Sequence, residues 1–445
     1  MSRVRLPGVQ LFLVKLPSLI KEVLVDKYAS YPKHELSEMV LKPLLGESIF
    51  TTNGPVWERQ RRMLDPAFGQ AKLKEVFTLM KGGSDAMIKR FDEVGDGEVA
   101  DIEIEMTHVT ADIILRTILS ESLEGEGARK IFHGFNLFQE KASVMIQLGF
   151  FHLPCWILPH HYCTWKRTGR EIRELLAIPI RKRFEAYHRG EKGDYKDILQ
   201  SLLDTTDPED GSKYTLEELV DQVAMLFLAG HETSASALSW SLFLLAKCPE
   251  IQEKLHQETV TLLGDREPEF RDISRHKKIR NVFKETMRVY PPVGFLTFRK
   301  AHGKQKLQNR EIPDGSPLVV SPWLVHRHRE LWDRPDEFDP DRFEGGLNQP
   351  SCAYIPFGQG PRICIGAAFA TQEAMLLLAA LTRRYRFEPG PGPDPEPTSR
   401  LTIRSMDGIS LRVFKRPETS EPGVPFEPDS EKETAELAEA KCPFQ

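Results

Sequence analysis

The sequence predicts a mainly α-helical chain with small β-sheets, folded as one large domain around a long central helix. Three observations carry that reading. Apolar residues recur every three or four positions through most of the chain. One segment, TLEELVDQVAMLFLAGHETSASALSWSLFLLAKCPE, runs from a capping pair, Thr215 with Glu218 three residues on, to a stop at Pro249. At about 34 residues it would extend roughly 50 Å, the width of a whole domain. Its middle is apolar on nearly every face, so it should lie through the core. Strand signals, by contrast, are short and mostly late.

In chain order, VRLPGVQLFLV reads as a hairpin, and a helix follows over 17–27. Helical spacing then recurs over 56–63, 73–94, 104–119, 128–146, 164–188 and 196–203, ahead of the long segment. Residues 318–320 read as a strand after the turn IPDG. A last helix starts at Ile365, and LTIRSMDGISLRVF reads as a hairpin turning at Asp407-Gly408. There is no internal repeat and no interior linker. After Lys415 the composition turns Pro- and Glu-rich with little to bury, so 1–415 is the expected domain and 416–445 a disordered tail.

The formal charge of −5 and the lack of a long basic run give no reason to expect nucleic acid. Six scattered cysteines in 445 residues suit a reducing cytoplasm better than a disulfide framework. Near the N-terminus, Lys15, Pro17, Lys21 and Glu22 interrupt the apolar runs, which neither span a bilayer nor form a signal peptide. A soluble cytoplasmic protein, with no membrane anchor in this chain, is the expectation.

The chemistry concentrates in FGQGPRICIG, residues 357–366, which holds no carboxylate and no histidine. That argues against zinc, a disulfide or an acid–base site. Cys364 stands between Gly360 and Gly366, which both permit positive φ and close backbone approach. Turn amides and the N-terminus of the following helix would favour a thiolate there. Arg362 offers a fork to an anionic group. Elsewhere, Glu285 and Arg288 in KETMRVYP stand three apart on one helix face and can pair.

The pattern Phe357-x-x-Gly360-x-Arg362-x-Cys364-x-Gly366 resembles the heme-binding loop of the cytochrome P450 family. KETMRVYP, FDPDRF and AGHETS match further family motifs in the same order, so the resemblance runs from about residue 4 to residue 415. It implies heme b with Cys364 as axial iron ligand, and a core clamp of Glu285, Arg288 and Arg342. It implies that Glu232 and Thr233 handle dioxygen and protons, with the small Ala229 and Gly230 leaving room beside the iron. Glu232 stands where an Asp is also common. Trp57, Arg61, Arg299 and Lys33 are the implied further partners of the heme, chiefly of its propionates. Met225, Ala229, Val293, Gly294, Phe295 and Leu296 are the implied pocket, whose apolar character favours a lipid, fatty acid, terpenoid or similar small molecule.

The resemblance further implies a monomeric monooxygenase, hydroxylating or epoxidising its substrate. Electrons would come from NAD(P)H through an external ferredoxin or flavodoxin and its reductase, since nothing resembles a flavin or nicotinamide site. Arg59, Arg61, Arg62, Lys72 and Lys74 form the expected docking patch. The leading helix usual in the family is missing from this chain. A peroxygenase or isomerase, or a non-catalytic heme sensor, would use the same loop. Cys155, His160, His161 and Cys163 fit no common zinc spacing, the Cys-Pro pairs at Cys248 and Cys442 carry little information, and His326 is expected to pack within the fold.

Overall fold

A computed structural model describes every residue except 7, 8, 152, 192, 297 and 418–445. At its centre is the helix Leu216–Lys247, 32 residues long and opened by a capping box between Thr215 and Glu218. From Leu219 to Ala246 every residue of it is buried except Ala229, Gly230 and Thr233. Its most extensive neighbour is Ile102–Leu119, whose first turn is capped by Asp101 accepting from the amides of Glu103 and Ile104. Pro159–His188, Lys277–Val289 and Ala367–Arg384 pack on its other sides. The main core runs through this bundle, including Trp240, Phe135 and Phe227.

The helices at 56–63, 73–94, 104–119, 128–146, 164–188 and 196–203 appear as Gly54–Leu64, Gln70–Glu93, Ile102–Leu119, Glu126–Phe150, Pro159–His188 and Ile198–Asp204. Glu35–Leu45 and Pro249–Leu263 are helices the periodicity did not single out. The segment expected over 17–27 is an α-helix only for Pro17–Lys21, then a π turn over Glu22–Asp26.

Ser2–Leu6 and Val9–Val14 pair antiparallel as expected, and Val9–Val14 pairs parallel with Pro317–Val320. Arg299–Lys300 completes that four-stranded sheet. The expected late hairpin does not form. Ile403–Ser405 pairs with Pro397–Ser399, while Ser410–Lys415 is the central strand between Val99–Asp101 and Tyr385–Pro389. The turn at Gly408, with φ of 84°, therefore links two sheets. The physical reason is that both edges of Ser410–Lys415 are already taken. Arg416 still belongs to the fold, donating to Glu253, whereas the disordered-tail expectation and Cys442 lie outside the described residues. Among the described residues no helix is long and apolar enough to cross a membrane.

Candidate active site

The cysteine loop is held by backbone. Cys364 N–H donates to the Phe357 carbonyl at 2.9 Å, and Ile363 N–H to that of Gly360 at 2.9 Å. Gly360 has φ of 77°, and a Cβ there would lie 2.1 Å from the Leu24 carbonyl oxygen, so the loop abuts the Glu22–Asp26 turn. Gly366 departs from expectation. Its φ is −85°, because it already caps the helix Ala367–Arg384, and a Cβ there would stand 3.9 Å from Cys364 Sγ. Gly358, with φ of 75°, supplies the second left-handed position instead. Cys364 is exposed just before that helix, at its positive end. Phe357 is partly buried against the main core.

Around the loop three cations converge from distant parts of the sequence. The Arg362 guanidinium lies 4.1 Å from the centre of the buried Trp57 ring, and donates to Thr52 O and Asn53 Oδ1 at 3.1 and 3.0 Å. Lys33 Nζ donates to the Phe50 carbonyl at 2.6 Å, and its backbone bridges to Arg299. Arg299 is buried, with no hydrogen-bond partner at Nε. Burial, then the charges of Arg362 and Arg299, push the Lys33 amine well below the usual lysine value, although the residue as a whole is only partly buried. Burial brings Arg299 down to about 10, and burial followed by the Arg299 charge does the same to Arg362. None of the three has a carboxylate in an ion pair among the described residues. A partly buried cation cluster with an orphaned donor suits a ligand carrying carboxylates. The residues present therefore fit a heme, whose carboxylates Lys33, Arg299 and Arg362 would hold and whose iron Cys364 would ligate. Arg61 also reaches the loop, donating to the Ile363 carbonyl at 2.7 Å, and is paired with Asp65 at 2.7 Å.

On the long helix, Ala229 is exposed and Thr233, one turn on, is half-buried, so both face an opening in an otherwise buried element. Thr233 Oγ1 donates to Ala229 O at 2.8 Å, and Thr110 Oγ1 donates across to His231 O at 2.9 Å. Two carbonyls of this turn thus accept side-chain hydroxyls, which weakens the helical ladder locally. Gly230 also packs closely against the next helix: a Cβ there would lie 2.6 Å from the end of the Ile114 side chain, which would have to shift. Met225, one turn before Ala229, is buried in the core.

Val293 and Leu296 are half-buried, Gly294 is buried, and Phe295 is 49% exposed. Ile403 ties this segment to the long helix. Its N–H donates to Pro292 O, while its carbonyl accepts from Ser236 Oγ and Trp240 Nε1.

Sequence reasoning missed the partners of Glu232. Its carboxylate is buried and bound by Arg404, from Nε to Oε1 at 3.0 Å and from Nη2 to Oε2 at 2.7 Å. Thr402 Oγ1 adds a bond to Oε1 at 2.7 Å. Burial alone would raise this carboxyl, but the charge and hydrogen bonds of Arg404 prevail and hold it down to about 2. Arg404 Nη1 also reaches Glu103 and Thr107, at 3.3 and 3.1 Å. An arginine inside the apolar run LTIRSM was the available signal.

The pairing of Glu285 with Arg288 is complete, at 2.7 and 2.8 Å between fully buried side chains, and Arg342 Nε lies 3.3 Å from Glu285 Oε1. His326 packs within the fold, its Nε2 accepting from Ile355 N–H. The expected basic patch is not continuous. Pro66 and Gly69 break the chain between Arg59–Arg62 and Lys72–Lys74, which lie on different helices. Arg59 binds Glu218, Arg62 binds Asp207 and Glu209, and Lys72 binds Glu75.

The profile of the family described as Cytochrome P450 matches residues 1–411. The chain is 32% identical over 375 residues to cyclooctatin synthase of Streptomyces melanosporofaciens, covering 84% of this chain and 80% of that one. It is 31% identical to the 11-oxo-beta-amyrin 30-oxidase of Glycyrrhiza uralensis, covering 90% and 77%. The solved heme domain of cytochrome P450DA superposes with a TM-score of 0.84 at 25% identity, over 94% of this chain and 90% of that one.

Proposed function

Because the chain belongs to the cytochrome P450 family, we propose that it is a heme-thiolate monooxygenase that hydroxylates or epoxidises an apolar small molecule, with a terpenoid favoured. For hydroxylation the balance is R–H, dioxygen, NAD(P)H and a proton in, and R–OH, water and NAD(P)+ out. The observation that carries the reading is Cys364, exposed just before a helix N-terminus, with three cations nearby, Arg299 buried and Lys33 and Arg362 partly buried, that have no ion-pair partner among the described residues. When bound, the heme supplies dioxygen activation, which a thiolate ligand favours by donating electron density.

The chain's own residues do the rest. Lys33, Arg299 and Arg362 orient the group through its carboxylates. Thr233, facing the opening next to Ala229, presents a hydroxyl that can exchange its bond to the Ala229 carbonyl for one to a bound molecule or water. Glu232 is ionised at neutral pH with both oxygens engaged, so passing a proton through it requires loosening an Arg404 contact. Met225, Ala229, Val293, Gly294, Phe295 and Leu296 make the surroundings apolar. Relatives named for cyclooctatin synthesis and 11-oxo-beta-amyrin oxidation support the terpenoid preference. Electrons are assigned to a separate ferredoxin or flavodoxin, and residues 1–415 to the catalytic unit, a soluble cytoplasmic monomer.

The test is spectroscopic. The reduced carbon monoxide complex of the heme-loaded parent should show the red-shifted Soret band of a thiolate heme, and Cys364→Ser should lose it. Its absence from folded, heme-loaded parent would overturn the assignment. Terpenoids that displace iron-bound water and shift the ferric Soret band would then name the substrate, and failure of all of them would remove that class.

A further inference from the structure

The last strand, Ser410–Lys415, leads onto the rim of a cavity that the cysteine site does not use. One face of Gln70–Glu93, carrying Lys81, Asp85, Ile88, Lys89 and Asp92, meets Leu263 and the far end of Ala367–Arg384 around a space of about 450 Å³. Its lining is apolar at Ile88, Leu263 and Ala379, all buried. Its rim is charged. Lys81 binds Glu267 at 3.2 Å, Asp92 accepts from the Tyr385 hydroxyl at 2.6 Å, and Arg383 donates to the Arg266 carbonyl at 3.1 Å. Lys89 and Arg384 are exposed and have no ion-pair partner among the described residues. Asp85, exposed beside them, is the rim carboxylate with neither an ion pair nor a hydrogen bond among the described residues. Lys415 Nζ donates to the Asp92 carbonyl and Arg416 N–H to that of Arg384, both at 2.8 Å, so the chain passes along this rim just before Pro417.

We propose that this cavity takes residues 423–429 of the same chain, GVPFEPD, from the tail that starts at its rim. Beyond Pro417 the sequence holds eight acidic residues and two lysines, and a stretch of that composition has little to bury by itself. Val424 and Phe426 are its first large apolar residues, and Glu427 and Asp429 follow at once. Apolar side chains flanked by carboxylates match an apolar lining inside a rim with two unpaired cations. Pro425 and Pro428 limit the conformational freedom lost on docking. The intervening residues 418–423 reach at most roughly 20 Å, enough to turn back into a cavity that begins where they do. So short a tether holds the segment at an effective concentration of about 1 mM, so that a contact with a dissociation constant of ~0.1 mM is closed about nine-tenths of the time. The docked segment fastens Gln70–Glu93 to the end of the helix that starts at the cysteine loop. It needs neither heme nor electrons, and stands or falls independently of the monooxygenase reading.

Photo-crosslinking identifies the occupant. In the full, heme-loaded chain, Phe426→benzoylphenylalanine should give crosslinks within one chain, mapped by mass spectrometry to residues 81–92, 263–268 or 379–384. Crosslinks joining two chains would assign the cavity to a second copy and overturn the proposal. Crosslinks scattered elsewhere on the chain, or none, would overturn it equally.

Proteolysis measures how tightly it docks. Cleavage after Glu427 by a glutamate-specific protease, compared with cleavage after Glu439 and with the free peptide of the same sequence, reports the open fraction. The full chain should be protected about tenfold at Glu427. Arg384→Glu and Lys89→Glu, both on the exposed rim, should each remove severalfold of that protection. Asp85→Asn takes a repelling carboxylate from the rim and should add to it. Phe426→Ala should abolish it. A parent cleaved as fast as its free peptide, or rim variants that leave the rate unchanged, would overturn the proposal.

Discussion

Glu285, Arg288 and Arg342 on one side, and Lys33, Arg299 and Arg362 on the other, are two charge clusters, buried or partly buried, with opposite balance. In the first, all five N–H donors of Arg288 are taken. Nε and Nη2 go to Glu285, Nη1 to the carbonyls of His326 and Pro335, and Nη2 also to that of Glu337. The Glu285 carboxylate further accepts from the Asp339 amide. In the second, three cations repel one another, no carboxylate pairs with them among the described residues, and Arg299 Nε is idle. A cluster saturated from within the chain is architecture. One left lopsided at the end of a helix-capped cysteine loop is waiting on something the chain does not encode.

The comparison breaks most visibly at Arg288. Arg288→Ala would strand a buried carboxylate and three carbonyl oxygens, at a cost of about 3–5 kcal/mol. That is a large share of a typical stability of about 5–15 kcal/mol. The expected outcome is loss of soluble, heme-binding protein, read by thermal unfolding and heme content. A variant melting within about 2 °C of the parent would mean the cluster is not structural.

Arg299→Leu should do the reverse to the apoprotein. Removing one of three uncompensated cations leaves apoprotein stability unchanged or higher, while the heme-loaded form loses a partner. The expected loss is about 2 kcal/mol, near thirtyfold in heme affinity, read as heme transfer to an excess apoglobin. Lys33→Met should follow in the same direction, more weakly, since Lys33 retains the Phe50 carbonyl. Equal destabilisation of both forms would erase the distinction between the clusters.

The two clusters were also unequally legible. Glu285 and Arg288 are three residues apart, and local spacing is what a sequence displays directly. Lys33, Arg299 and Arg362 are distant in sequence, and only likeness to a family could bring them together. The helices were readable because amphipathic period is local; the late hairpin was not, because the partners of Ser410–Lys415 come from residues 99–101 and 385–389. That error hid Arg404. Residues read as one arm of a hairpin in fact tuck Ile403 and Arg404 against the long helix. Glycines were half-legible: Gly360 is needed where expected, Gly366 is not left-handed, and Gly230 answers to Ile114.

A third cluster lies between the two extremes and gives the finest test. Glu232 and Arg404 balance each other, but Arg404 is shared with Glu103, so the pair is satisfied and still adjustable. The Glu232 carboxyl falls from an ordinary 4.5 to about 2 in the folded state. Between those values the unfolded chain binds the extra proton, so stability rises with pH there. The contribution is fully present above about 4.5 and is lost as pH falls towards about 2. In Arg404→Met the same carboxyl is buried without its cation, and burial then pushes it up instead of down. The slope should therefore reverse: relative to the parent, the variant should lose stability as pH rises from 4 towards 7. Denaturant unfolding at a series of pH values reads this directly, and Glu232→Gln in the same background should flatten the curve. Parallel curves for parent and Arg404→Met would show that Arg404 does not set the charge of Glu232.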